Sequence, residues 1–137
     1  MKRTFDADRV NYLVNHETIR PTCGGDIGQP LDFTPLVNDR QNVFLDAEHG
    51  GLAFIWTAPR VFEVHVYLLP EGRGKWGFDF GMAARNYMAD HADMLWARVD
   101  NPALRYFTMK AGFKPCGQQT IDIGQGPVVY DLYKWEY

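Results

Sequence analysis

Hydrophobic and polar positions follow two different periods along this chain. Val10, Leu13 and Val14 recur at spacings of three and four, which marks one apolar helix face, and Asp6 or Asp8 stands where a cap is needed. A second short helical segment, residues 17–20, ends at Pro21. Residues 22–35 contain Gly24, Gly25, Gly28, Pro30 and Pro35 with few consecutive hydrophobes, which predicts a loop and then one turn of helix. A loop that long is a candidate substrate-side lid or partner surface.

The period then changes to two. Strands are predicted over 42–47, 51–57 and 61–69, separated by His49-Gly50-Gly51 and Ala58-Pro59-Arg60, spacings that suit an antiparallel meander. In the third strand Phe62, Val64, Val66 and Leu68 share one face, whereas Glu63, His65 and Tyr67 share the other. Helical spacing returns over 75–90 with Trp76, Phe80, Ala83 or Ala84, and Tyr87, a stripe that can cover a sheet. A strand follows at 94–99, then a helix capped by Asp100 or Asn101 with Pro102 in its first turn and its end at Gly112. The last two strands, 118–123 and 128–135, are joined by a Gly124-Gln125-Gly126-Pro127 turn. This order requires an α/β (α+β) domain with a mixed sheet and helices on its faces.

Composition narrows the function. With 137 residues, 46% of them hydrophobic, the chain suits a single domain spanning 1–137. The net charge of -3 and the lack of a Lys/Arg run interleaved with aromatics argue against a nucleic-acid partner. Trp56, Trp96 and Trp135 fall in predicted strands and read as core residues. Cys23 and Cys116 have no His or Cys neighbour at ligand spacing, so they read as free thiols in a reducing compartment, with no metal site. No apolar stretch approaches a membrane span, and the expected location is the cytoplasm without a membrane partner.

One segment carries chemistry. Leu68-Leu69-Pro70-Glu71-Gly72-Arg73-Gly74-Lys75-Trp76-Gly77 takes a strand through a glycine-rich turn into a helix, where unpaired amides and the positive helix end converge and can hold phosphate. Arg73 and Lys75 add positive charge beside it. Trp76 either packs under this turn or lines a groove. A second segment runs from Asn101 through a compact helix to Gly112-Phe113.

The two segments together resemble the signatures of the GNAT N-acetyltransferase superfamily, and more loosely the short GNAT-like proteins of tailed bacteriophages. The resemblance spans residues 61–113. It implies the acyl-coenzyme-A N-acyltransferase fold, a mostly antiparallel sheet whose central parallel strands, 61–69 and 94–99, splay apart to admit the pantetheine arm of acetyl-CoA. Main-chain groups of Tyr67, Leu68 and Leu69 would pair with that arm. The amides of Arg73, Gly74, Lys75, Trp76 and Gly77 would hold the pyrophosphate, and Asn101 would contact the cofactor or the strand end. The family's usual tyrosine acid is Thr108 here.

The implied function is transfer of an acetyl or related acyl group from coenzyme A to a primary amine on an unidentified small-molecule or protein acceptor. A base is then needed near the splay, and Glu63 and His65, on one strand face, are the candidates, acting directly or through water. Tyr67 reads as packing. The alternative is a catalytically inactive binding or structural protein of a phage acting through macromolecular contacts. A homodimer or protein partner could use an edge strand or the aromatic C-terminus.

Overall fold

A computed structural model describes every residue except Ile123 and Gln125. In chain order the elements are β1 (Lys2–Arg3), α1 (Ala7–Val14), α2 (Thr34–Asn38), β2 (Val43–Ala47), β3 (Gly50–Ala58), β4 (Val61–Leu68), α3 (Lys75–Tyr87), β5 (Met94–Val99), α4 (Pro102–Lys110), β6 (Lys114–Asp122) and β7 (Pro127–Glu136). The strands form one seven-stranded sheet in the order β1-β2-β3-β4-β5-β7-β6. Every neighbouring pair is antiparallel except β4 with β5.

Local chemistry sets the helix ends. Asp6 caps α1 by accepting from the amides of Asp8 and Arg9, and Asn101 caps α4 by accepting from the amide of Leu104. The helix expected over 17–20 does not form. His16 takes up the local groups, accepting Thr18 N–H on its ring and the amides of Ile19 and Arg20 on its carbonyl. A 3₁₀ turn follows instead at Arg20–Cys23, with Pro21 in its first turn, where a missing N–H costs nothing.

The glycine-rich segment after it is pinned, unlike a free lid. Buried Arg20 donates to the carbonyls of Gly24, Asp26 and Gln29, and Asn15 bonds both the amide and the carbonyl of Leu31.

Two further expectations move. β6 starts at Lys114 and not at residue 118, because Pro115 is tolerated on an edge strand beside an irregularity at Pro115/Gly117. Its expected end at Ile123, and Gln125 of the expected turn, lie outside the described residues. The two-residue β1 carries too little pattern to be read from sequence. Of the three strand tryptophans only Trp135 packs on a core cluster. Trp56 is 37% exposed, and Trp96 lies under Arg98 and donates to Thr57.

Each face of the sheet has its own core. On one face Val43, Leu45, Leu52, Phe54, Phe62 and Leu95 meet Phe80, Ala84 and Met88 from α3 and the turn behind it. On the other, Phe44, Ala53 and Tyr67 meet Val10, Leu13 and Val14 of α1, with Ile19 and Val37. The alternation in β4 serves both layers, since Phe62, Val64 and Leu68 pack toward α3 and Tyr67 packs toward α1.

The feature that positions a site is the short β4–β5 pairing. Only Val61↔Met94, Phe62↔Leu95 and Glu63↔Trp96 are in register. Beyond them β4 stays paired with β3 as far as Gly50↔Leu68, while β5 stays paired with β7 as far as Val99↔Asp131. Each strand follows its other neighbour, so the sheet splits where the two strands end.

Candidate active site

The split opens a cleft of about 810 Å³ that passes between the strands from one face of the sheet to the other. Its floor is the free edge of β4, and strand parity decides which groups that edge offers. The Leu69 N–H donates to His49 C=O, and in an antiparallel pair main-chain groups alternate sides. Odd-numbered residues of β4 therefore bond β3, while Val64, Val66 and Leu68 turn their amides and carbonyls into the gap. The Arg73 guanidinium reaches the Leu68 carbonyl from that side. Of Tyr67, Leu68 and Leu69, whose main-chain groups the resemblance assigned to the pantetheine arm, only Leu68 turns both groups into the gap. Tyr67 faces β3, and Leu69 spends its amide on His49 and its carbonyl on Gly72. Leu68 and Val66, the latter 42% exposed, have their main-chain groups on the gap side.

Beyond Leu69 a 3₁₀ turn, Pro70–Gly72, leads to Gly74, the cap residue of α3, which has φ +86° and ψ -138°. Only glycine enters that region without strain. Gly74 has no side chain to cap the helix, and the first intrahelical bond runs from Phe78 N–H to Gly74 C=O. Residues 74–77 thus present amides with no helical partner at the positive end of a 13-residue helix.

Gly72 and Gly77 serve a different purpose. A Cβ on Gly77 would lie 2.5 Å from the Gly72 carbonyl oxygen, and one on Gly72 would lie 2.5 Å from that of His49, so both let the turn close on itself. Trp76 packs beneath it against His49 and Phe80. The Arg73 amide bonds Pro70 C=O and its guanidinium donates to Thr18 Oγ1 at 2.9 Å. Lys75 pairs with Asp79 on the surface.

On the α1 side of the cleft Glu63 and His65 meet. The carboxylate of Glu63, a residue 8% exposed, accepts from His65 Nε2 at 2.9 Å on one oxygen and from Arg98 on the other. Burial by itself raises the Glu63 pKa. The His65 hydrogen bond, with the charges of His65 and Arg98, outweighs it and holds this carboxyl below its ordinary value. Glu63 is therefore an ionised anchor with both oxygens engaged. Because a carboxylate only accepts, His65 Nε2 carries the hydrogen, and a neutral ring keeps its lone pair on Nδ1. The ring lies parallel to that of Tyr67, with centroids 6.4 Å apart.

Arg98 was missed by sequence reasoning. The Glu63↔Trp96 register puts Trp96, and two residues later Arg98, on the face of Glu63, a signal visible only once the parallel pairing is known.

Asn101 lines the cleft, but its side chain is engaged in capping and in a bond to Asp100. Thr108 also lines it, with its hydroxyl donating to Leu104 C=O within the helix. Burial, with Cys23 and Glu63 nearby, drives the Tyr67 hydroxyl far above its ordinary pKa, so that it holds its proton. Cys23, on the same wall, is likewise raised by burial. Among the described residues no cluster of metal-ligating side chains is present, and no helix is long and apolar enough to cross a membrane.

No family model matches the sequence, and no curated protein does. Solved structures do match. A mutant of the spermidine N-acetyltransferase SpeG from Vibrio cholerae is 13% identical, with a TM-score of 0.76 over 98% of this chain and 93% of its own. A ribosomal-protein-alanine N-acetyltransferase from Brucella melitensis is 15% identical, with a TM-score of 0.75 over 98% and 96%. The yncA protein of Salmonella typhimurium, solved with its cofactor acetyl-CoA, is 17% identical, with a TM-score of 0.71 over 99% and 94%. The fold of this chain is that of the GNAT acetyltransferases.

Proposed function

We propose that this chain is an acyltransferase that moves an acetyl or related acyl group from coenzyme A to a primary amine. The observation that carries the reading is the free edge of β4 at Val66 and Leu68, leading into the uncapped start of α3. An extended amide-bearing chain ending in phosphates matches both, because the strand edge pairs with amides as another strand would and the helix start attracts the anion. The yncA structure, with its acetyl-CoA, and the fold shared with it support this choice. Residues 1–137 would act as one unit, a reading supported by a shared fold that covers 99% of this chain.

The residues present suit acetyl-CoA. Val66 and Leu68 would hold the pantetheine amides, and the amides of Gly74, Lys75, Trp76 and Gly77 the pyrophosphate. Bound acetyl-CoA supplies a thioester carbonyl open to a nucleophile. His65 Nδ1 would take the proton from the amine, while Glu63, itself held by Arg98, fixes the ring and stabilises its charged form. A second reading, binding without transfer, is favoured by Thr108, whose hydroxyl is committed to Leu104 C=O and leaves the departing sulfur without a tyrosine donor.

Calorimetry with acetyl-CoA tests the first reading. Saturable binding is expected, weakened about tenfold by Arg73→Glu, which replaces a cation beside the helix start with an anion. Absence of binding at millimolar ligand contradicts the acyltransfer reading. Binding with no release of free thiol across an amine panel selects the second.

A further inference from the structure

The acceptor half of the cleft has a charge balance that selects among amines. Of the charged groups lining the whole cleft, Glu63, Asp100, Arg73, Arg85 and Arg98, only Glu63 and Arg98 meet on the His65 face, while Arg73 bonds Thr18 and Arg85 packs on Trp135. Glu63, the carboxylate on the His65 face, already holds His65 on one oxygen and Arg98 on the other. An ammonium arriving beside His65 meets no free carboxylate there, and a second ammonium on the same molecule would meet Arg98. Like charges brought together in a partly dehydrated cleft repel and disfavour binding. Beside Thr18 and Thr22, the wall facing the site carries Ile19, Cys23, Phe33 and Tyr67, with an edge-to-face contact of Phe33 on Tyr67 at 6.1 Å.

Building on the acyltransfer reading, we infer that the acceptor is a weakly basic monoamine on an apolar or aromatic body, with no second positive charge. Such an amine, like the α-amine of an amino-acid amide, is substantially neutral near pH 8, whereas aliphatic amines of the lysine type are not. It needs no carboxylate to bind, and the aromatic wall supplies contact for its side chain. In the transfer the amine nitrogen forms a bond to the acyl carbon as the carbon–sulfur bond breaks. The electron pair of that bond leaves on sulfur as the coenzyme A thiolate, the amine proton passes to His65, and solvent protonates the thiolate.

The test measures thiol release at pH 8 with saturating acetyl-CoA and either L-phenylalaninamide or spermidine. kcat/KM is expected to be at least about tenfold higher for phenylalaninamide. In Arg98→Ala one Glu63 oxygen is released and the opposing charge is gone, so the ratio should move toward spermidine. Equal or faster reaction with spermidine in the unaltered protein, or an unchanged ratio in the variant, overturns the acceptor class and leaves acyl transfer standing. Release from neither of these amines but from others of the panel overturns the acceptor class, whereas release from no amine while acetyl-CoA still binds removes the underlying reading. Failure of acetyl-CoA to bind at all removes the underlying reading as well.

Discussion

Replacing His65 with alanine lowers kcat for thiol release about a hundredfold and leaves acetyl-CoA affinity within about twofold. The separation follows from position. His65 belongs to the odd-numbered face of β4, whereas the groups assigned to coenzyme A are main-chain atoms of even-numbered residues and the start of α3. Glu63→Gln keeps an acceptor for Nε2 but loses the charge, and it leaves Arg98 facing a neutral amide. A smaller loss, about tenfold, is expected there, because Glu63 acts through His65. Stopped-flow or steady-state thiol detection, paired with calorimetry on each variant, separates the two effects. Unchanged turnover in His65→Ala removes the histidine from the mechanism.

Gly77→Val is the second large effect. The new Cβ would sit 2.5 Å from the Gly72 carbonyl and 2.6 Å from Leu68 Cδ1, and a backbone oxygen cannot step aside as a side chain tip can. The turn must open, which costs about 1–3 kcal/mol by the usual scale of overpacking. The amides of residues 74–77 move with it, so acetyl-CoA affinity is expected to fall at least about tenfold. Thermal unfolding and calorimetry check the two consequences. Gly81→Ala is the matched control, since a Cβ there meets nothing within 4 Å. A Gly77→Val protein as stable as the parent, with unaltered affinity, would show that closure of the turn does not matter.

Much of this was legible before any coordinates, for reasons tied to particular residues. Asn101-Pro102 carries its cap and its first-turn proline next to each other, so the start of α4 could be read directly. The clustering of Gly72, Gly74 and Gly77 announced a turn, but their division of labour could not be read. Gly74 supplies a positive φ, whereas Gly72 and Gly77 make room for carbonyls contributed by other residues.

Main-chain chemistry is the harder case. Tyr67, Leu68 and Leu69 have identical amides, and only the bond from Leu69 to His49 reveals which of them faces the gap. Side chains that depend on neighbouring strands were hidden for the same reason. Arg98 meets Glu63 because β4 and β5 run parallel for three residues, and three residues of register leave no periodic trace. Arg20 resembled any surface arginine in sequence, yet it is buried and organises the loop through three carbonyls up to nine positions away.

The account depends on unpaired main-chain donors along one strand edge and one helix start. Hydrogen exchange read residue by residue, with and without saturating acetyl-CoA, addresses those donors themselves. Slowed exchange is predicted at Val66, Leu68, Lys75, Trp76 and Gly77, with Tyr67 and Leu69 unchanged because β3 and His49 already hold them. Protection that spares those five amides, or that appears only on the far edges of the sheet, would contradict the assignment.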